Sequence, residues 1–422
     1  MKTLFLTREF PPYVYGGAGV HVEYLAKELA KLMEVDVRAF GDQNEKTGNL
    51  SVKGYPFENS IFDHSDDKIK AVLKTLSTGV HMNADGIDAD IVHCHTWYSH
   101  FAGITAKLCY GIPLVITAHS LEPLRPWKRE QLGNGYDASS WIEKTAIEMA
   151  DALIAVSEET KTDVLNYFEV DEDKISVIYN GIDLKEYTPT SKTDTLTKYN
   201  IDQNKPFVLF VGRITRQKGI IHLVNAIKYL DPDTQVVLCA GAPDTKEIGL
   251  EMEQAVHAIQ KERDHVIWID EMLSKEAVIQ LYSHASVFCC PSIYEPFGII
   301  NIEAMACHTA VVASAVGGIK EVVVDGETGI LVPVEQQNTA PFEPVDPEKF
   351  AKDLADGIIR CMTGNGGWYY SCGGASTTDA STTGWAPEAL RLLERKYDIE
   401  TYDWAKNTHR SWLSSYCPSG NC

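Results

Sequence analysis

Short apolar runs alternate with helix-length amphipathic runs along this chain, and the alternation begins twice. It opens with TLFLT, VHVEYLAKELAKL and EVDVRAFG; later come ADIVHCH, IPLVITAH and ADALIAVS, each apolar run reaching its polar residues at its C-terminal end. Strands alternating with helices of this length predict a parallel sheet covered on both faces, which demands strands that are apolar throughout. Ligands of such sheets bind beyond the carboxyl ends of the strands, where these polar tips lie. Residues 1–190 are therefore expected to form a first doubly wound, Rossmann-like domain.

Residues 188–205, TPTSKTDTLTKYNIDQNK, lose hydrophobic periodicity, and 191–205 is expected to be a linker. The alternation then restarts with PFVLFVGR, IIHLVNAIKYL, TQVVLCAGAP, HVIWID, EAVIQLYSHA, SVFCCPS, INIEAMAC and AVVASAVGG. Residues 206–398 are expected to form a second domain of the same α/β class. At 422 residues the chain is too long for one compact core. Two doubly wound domains in tandem are expected to face a cleft that holds a ligand from both sides. Residues 363–386 are rich in Gly, Ser and Thr without a period and are expected to be irregular. Residues 399–416 can form a last helix returning to the first domain.

A formal net charge of -21 argues against nucleic acid as a partner, since the general surface repels phosphates. No run approaches the roughly 18 apolar residues of a membrane helix, so no membrane partner is expected. The short apolar N-terminus is followed at once by charge and reads as a buried strand, not a signal peptide. Ten cysteines form no C-x-x-C pair, and six of them lie in apolar or strand-like runs. A reduced, cytoplasmic protein is expected. No His/Cys cluster suggests zinc, the D-x-D tripeptides at 88–90, 171–173 and 231–233 read as turn punctuation, and neither metal nor cofactor is expected.

Two glycine-rich turns and one helix start carry the candidate chemistry. Gly16, Gly17 and Gly19 follow the first strand, but Val22 stands where a dinucleotide fingerprint needs Gly or Ala. That loop reads either as a backbone anion site or as a tight turn. FVGRITRQKG sets Arg213 and Lys218 at a strand's carboxyl end, where they read as solvated cations or as a phosphate grip; their position in so acidic a chain favours the grip. In YEPFGIINIEAMA, Pro291 and Pro296 end the strand and Gly298 opens a helix. The first N–H groups of that helix, at Gly298, Ile299 and Ile300, favour an anion such as a diphosphate. Glu295 precedes the helix and Glu303 lies within it, so one carboxylate can serve a sugar and the other a second hydroxyl-bearing group.

Glu295 and Glu303 form the E-x7-E pattern of retaining glycosyltransferases with the GT-B fold, and GRITRQKG and YGGAG are similar to the phosphate loops of that group. The run at 117–157, with EFPPYVYGGAGVHV, VIYNGID and YEPFGIINIEAMAC, resembles bacterial glycogen synthases of the actinobacterial type, in glycosyltransferase family 4. The resemblance covers roughly residues 1–360. It implies transfer of glucose with retention from a nucleotide donor, typically ADP-glucose, to the non-reducing end of an alpha-1,4-glucan. The alternatives are glucose 1-phosphate as acceptor, giving maltose 1-phosphate, a transferase like sucrose-phosphate synthase, or a non-catalytic nucleotide-sugar-binding homologue. By motif, Arg213 and Lys218 would hold the donor diphosphate, Glu295 the transferred glucose and Glu303 the ribose. The Gly17 backbone would approach the phosphate, His119 would contact the donor sugar near its reacting carbon, and Asn180 would line the cleft. His119 taken alone reads as a structural histidine; its place at a strand end and the motif reverse that reading.

Overall fold

The computed structural model describes residues 1–57, 62–338 and 342–362, and divides the chain into Met1–Asn180 and Gly181–Cys422. The segments expected at 363–386 and 399–416 lie outside the described residues.

In the first unit an eight-stranded sheet runs in the order β3-β4-β2-β1-β5-β6-β7-β8. Its strands are β1 (Lys2–Thr7), β2 (Glu34–Phe40), β3 (Asn44–Thr47), β4 (Leu50–Tyr55), β5 (Ile91–His95), β6 (Leu114–Ala118), β7 (Ala152–Ala155) and β8 (Ile175–Val177). All pairs are parallel except the β3–β4 edge. Helices α1 (Gly17–Leu29), α2 (Asp67–Ala84), α3 (Trp97–Tyr110), α4 (Lys128–Leu132), α5 (Gly135–Met149) and α6 (Glu158–Tyr167) connect them. Leu4, Phe5 and Leu6 of β1 are at most 1 % exposed, because helices cover both faces of the central strand.

The second unit begins with α7 (Asp194–Lys198), inside the segment expected to be a linker. Thr195 N–H donates to Gln280 Oε1 at 2.8 Å and Leu196 is buried. Its six-stranded sheet has the order β11-β10-β9-β12-β13-β14 and is parallel throughout. The strands are β9 (Phe207–Arg213), β10 (Gln235–Gly241), β11 (Val266–Ile269), β12 (Val287–Cys290), β13 (Ala310–Ser314) and β14 (Gly329–Val332). Helices α8 (Ile220–Ala226), α9 (Lys246–Glu262), α10 (Lys275–His284), α11 (Ile299–Ala306), α12 (Ile319–Val322) and α13 (Pro347–Cys361) alternate with them. In α13, Phe350, Leu354 and Ile358 recur every four residues on the buried face, each contributing about 1.5–3 kcal/mol of apolar burial. Pro347 and the Asp346 side chain, which accepts from Lys349 N–H at 2.9 Å, fix where that helix starts. Both units thus have the doubly wound α/β architecture expected of them. Among the described residues no helix is long and apolar enough to cross a membrane.

Candidate active site

In the second unit the strand order reverses between β9 and β12, and the crevice at such a switch point is where open α/β sheets bind ligands. The loops leaving those two strands carry Lys218 and Glu295. After β9 a single 3-10 turn, Arg216–Lys218, is started by the Thr215 hydroxyl, which accepts from Lys218 N–H at 3.2 Å. Gly219 ends the turn at φ +58, and a Cβ there would lie 2.0 Å from the Pro291 carbonyl oxygen. Only glycine lets the two loops approach this closely. Ile293 N–H donates to Gln217 O at 3.0 Å and closes the contact.

This approach brings Lys218 Nζ to 2.6 Å from Glu295 Oε2. Burial, the largest single effect, opposes the ammonium charge of Lys218, but Glu295, with Cys290 and Glu303, outweighs it and raises Lys218 above its usual value. Ser292 Oγ donates to the same Glu295 oxygen at 3.2 Å, and Glu295 O accepts from Gly318 N–H at 2.9 Å. Glu295 is only 7 % exposed and held from several sides. Arg213, at the end of β9, is paired with the well-buried Asp244. The two cations therefore do not stand as bare charges: each is oriented by a carboxylate.

Gly298 caps α11 at φ +89, so the first-turn N–H groups at Ile299 and Ile300 follow directly on the Glu295 loop. One turn further, Glu303 is 8 % exposed and accepts from Tyr187 OH at 2.8 Å and Tyr282 OH at 3.3 Å. Burial raises Glu303 to about 7, against the lowering effect of both tyrosines and Lys218. A carboxylate has about four acceptor positions, so two remain for a ligand hydroxyl pair. Tyr187 and Tyr282 were not singled out from sequence; Tyr187 lies immediately before the stretch at 188–205 that lacks periodicity.

In the first unit the order reverses between β1 and β5. Gly17 is the first residue of α1, after the loop that follows β1. In that loop the Glu9 carboxylate already accepts from Tyr15 N–H at 2.8 Å and Gly16 N–H at 2.9 Å, so two of the loop's donors turn inward. His119 follows β6, and its Nε2 shares a 3.1 Å hydrogen bond with Nδ1 of His95, the last residue of β5. His21 on α1 packs its ring 4.8 Å from that of His119. Burial, and secondarily the neighbouring imidazoles, hold His95 and His119 well below the usual imidazole value. Burial lowers His21 to about 4, against a raising contact from the Asn180 side chain. In the sequence these histidines lie far apart and form no cluster; the one local signal is HCH at the end of β5, where alternate residues share a face. Asn180 closes the unit, its Oδ1 buried without a hydrogen-bond partner among the described residues.

The run after His119 is organised by buried acids. Glu122 N–H donates to Glu143 Oε2 at 2.6 Å and Ser139 Oγ to Glu122 Oε2 at 2.8 Å. Burial and the adjacent Glu122 raise Glu143 well above the usual carboxyl value. Arg125 reaches back to Ser120 Oγ at 2.8 Å, beside His119.

Two units of this topology, with polar side chains gathered at their strand ends, are the architecture of a GT-B glycosyltransferase. Residues 15–186 match Glycosyltransferase Family 4, and residues 191–340 match Glycosyl transferases group 1. The α-maltose-1-phosphate synthase of Mycolicibacterium smegmatis is 49 % identical over 379 residues, covering 86 % of this chain and 95 % of the relative. That of Mycobacterium tuberculosis is 46 % identical over 347 residues, covering 81 % and 87 %. The structure of sucrose-phosphate synthase from Thermosynechococcus elongatus superposes with a TM-score of 0.70 at 23 % identity, covering 99 % of this chain and all of that one, a likeness of fold. The chain belongs to the group 1, family 4 glycosyltransferases and is a hexosyltransferase in class.

One expectation is corrected by these relatives. The resemblance to glycogen synthases implied a glucan acceptor as the main reading, whereas these two relatives are named for maltose 1-phosphate synthesis. The expectation rested on the run at 117–157 with EFPPYVYGGAGVHV, VIYNGID and YEPFGIINIEAMAC, and that resemblance is to the family and does not set the acceptor.

Proposed function

We propose that this chain transfers a glucosyl group from a nucleotide diphosphate-glucose to glucose 1-phosphate, forming α-maltose 1-phosphate. The observation that carries the acceptor is the 49 % identity to an α-maltose-1-phosphate synthase over 95 % of that relative's length. The donor side is supported by Lys218 and Glu295, 2.6 Å apart at the switch point, beside the start of α11.

In this reading Lys218, Arg213 and the Gly298, Ile299 and Ile300 end of α11 receive the diphosphate. Their charges and dipoles stabilise the negative charge that it gains on leaving. Glu295 accepts from hydroxyls of the transferred glucose and keeps Lys218 aimed at the phosphate. Glu303 accepts from the ribose hydroxyls. His119, neutral and hydrogen-bonded to His95, contacts the donor sugar near its reacting carbon, and the Gly17 backbone approaches the phosphate. Attack on the same face, with the leaving phosphate oxygen taking the acceptor's proton, retains configuration without an enzymic nucleophile.

The test is nucleoside diphosphate release from ADP-glucose and from UDP-glucose, each with glucose 1-phosphate, glycogen or no acceptor. Release that needs glucose 1-phosphate, with a disaccharide phosphate as product, is expected. Release that needs glycogen and ignores glucose 1-phosphate would overturn the proposal.

A further inference from the structure

The fold gathers imidazoles at the strand ends of the first unit beyond what sugar binding requires. One ring nitrogen from each of His21, His95 and His119 can be chosen so that all three lie within 4.8 Å of one another. Two of them, His95 Nδ1 and His119 Nε2, are already 3.1 Å apart. Ligand nitrogens about 2.0–2.1 Å from a tetrahedral zinc stand roughly 3.4 Å apart, so modest ring rotation completes the set. His95 Nε2 is buried without a hydrogen-bond partner among the described residues, and His21 Nε2 has no neighbour in good hydrogen-bond geometry, the Asn180 side chain lying nearest to that ring. His95 is fully buried, at 0 % exposure. An unpartnered buried ring nitrogen is costly unless something fills it.

We propose that His21, His95 and His119 form a transition-metal site, and that a zinc-class cation held there stops glucosyl transfer by occupying His119. Three imidazoles with a fourth position open suit zinc, copper or nickel, whereas magnesium and calcium prefer oxygen ligands. The inhibitory half rests on the role given to His119 under the proposed function; the metal site itself does not.

The experiment uses the full chain stripped with a chelator, in two arms. In the first, a chromophoric chelator competes with the protein for Zn2+, for the wild type, His21→Asn and His119→Asn. One additional zinc per wild-type chain is expected, bound roughly tenfold or more weakly when either histidine is replaced. Zinc taken by cysteines is common to all three proteins and cancels. In the second arm, transfer is followed against free Zn2+ and Mg2+. Wild type is expected to be inhibited by zinc and indifferent to magnesium; His21→Asn should retain transfer and lose the zinc sensitivity. Equal zinc binding by wild type and both variants overturns the site. Zinc binding lost with His21→Asn but without effect on the wild-type rate overturns the inhibition and the role of His119. If no acceptor supports transfer, the competition arm still decides the site.

Discussion

Lys218 and Glu295 each stabilise the other's charge, with side chains only 22 % and 9 % exposed, so removing either leaves a poorly hydrated partner. Lys218→Ala removes a charge-assisted contact of roughly 1.5–3 kcal/mol and should lower kcat/KM by roughly 10- to 100-fold, with weaker nucleotide binding. Steady-state kinetics and calorimetry with the nucleoside diphosphate check this. Glu295→Ala should nearly abolish transfer while the nucleoside diphosphate still binds; near-normal turnover would remove the hydroxyl-binding role. Glu303 gives a pH signature. Its folded value of about 7 lies above the ordinary 4.5, so the folded chain keeps a proton that the unfolded chain releases between those values. Its contribution to stability is therefore complete below 4.5 and is lost as pH rises through 7. Donor recognition runs the opposite way, because the ionised form is the better acceptor. The donor KM is expected to fall as pH rises through about 7 and to be flat in this range for Glu303→Gln.

At the scale of elements, the site depends on how closely two loops approach. Gly219→Ala places a methyl group where Pro291 O lies 2.0 Å away, at a left-handed φ of +58. The backbone conformation alone costs an alanine roughly 1–2 kcal/mol, and relief of the clash must shift the 3-10 turn that carries Lys218. Urea unfolding should show at least that loss of stability, and transfer should fall with it. The buried histidines of the first unit make a separate prediction. Burial lowers His93 and His100 to about 3 and His21 to about 4, from 6.5. Below 6.5 the unfolded chain binds protons that the folded chain refuses, so this stability is complete above 6.5 and declines as pH falls, toward about 4 for His21 and about 3 for His93 and His100. Each histidine contributes up to about 1.4 kcal/mol per pH unit over that interval. Thermal unfolding at about pH 7 and about pH 5.5 should show a clear fall in Tm on acidification.

For the whole molecule, a ligand that binds only the folded chain stabilises it by mass action. At a hundredfold excess over Kd that amounts to about 2.7 kcal/mol. A nucleoside diphosphate should therefore raise the Tm of the wild type, and raise that of Lys218→Ala less at the same concentration.

The repeated strand–helix alternation determined the doubly wound class of both units, because a strand buried on two faces must be apolar along its length. Leu4, Phe5 and Leu6 show this directly. The places of Arg213 and Lys218 beyond a strand end, and of Glu295 and Glu303 around the Gly298 helix start, were also legible in the sequence, since these are local features. Residues brought in from a distance were not legible. Tyr187 reaches Glu303 from 116 positions away, and His95 meets His119 only because β5 and β6 are neighbours in the sheet. The same holds for Glu9, whose carboxylate fills two donors of a loop that looked open to an anion. Local periodicity reports which face of an element is buried. Which side chains then share a proton or a charge depends on strand order and loop approach, and these are decided only when the sheet is assembled.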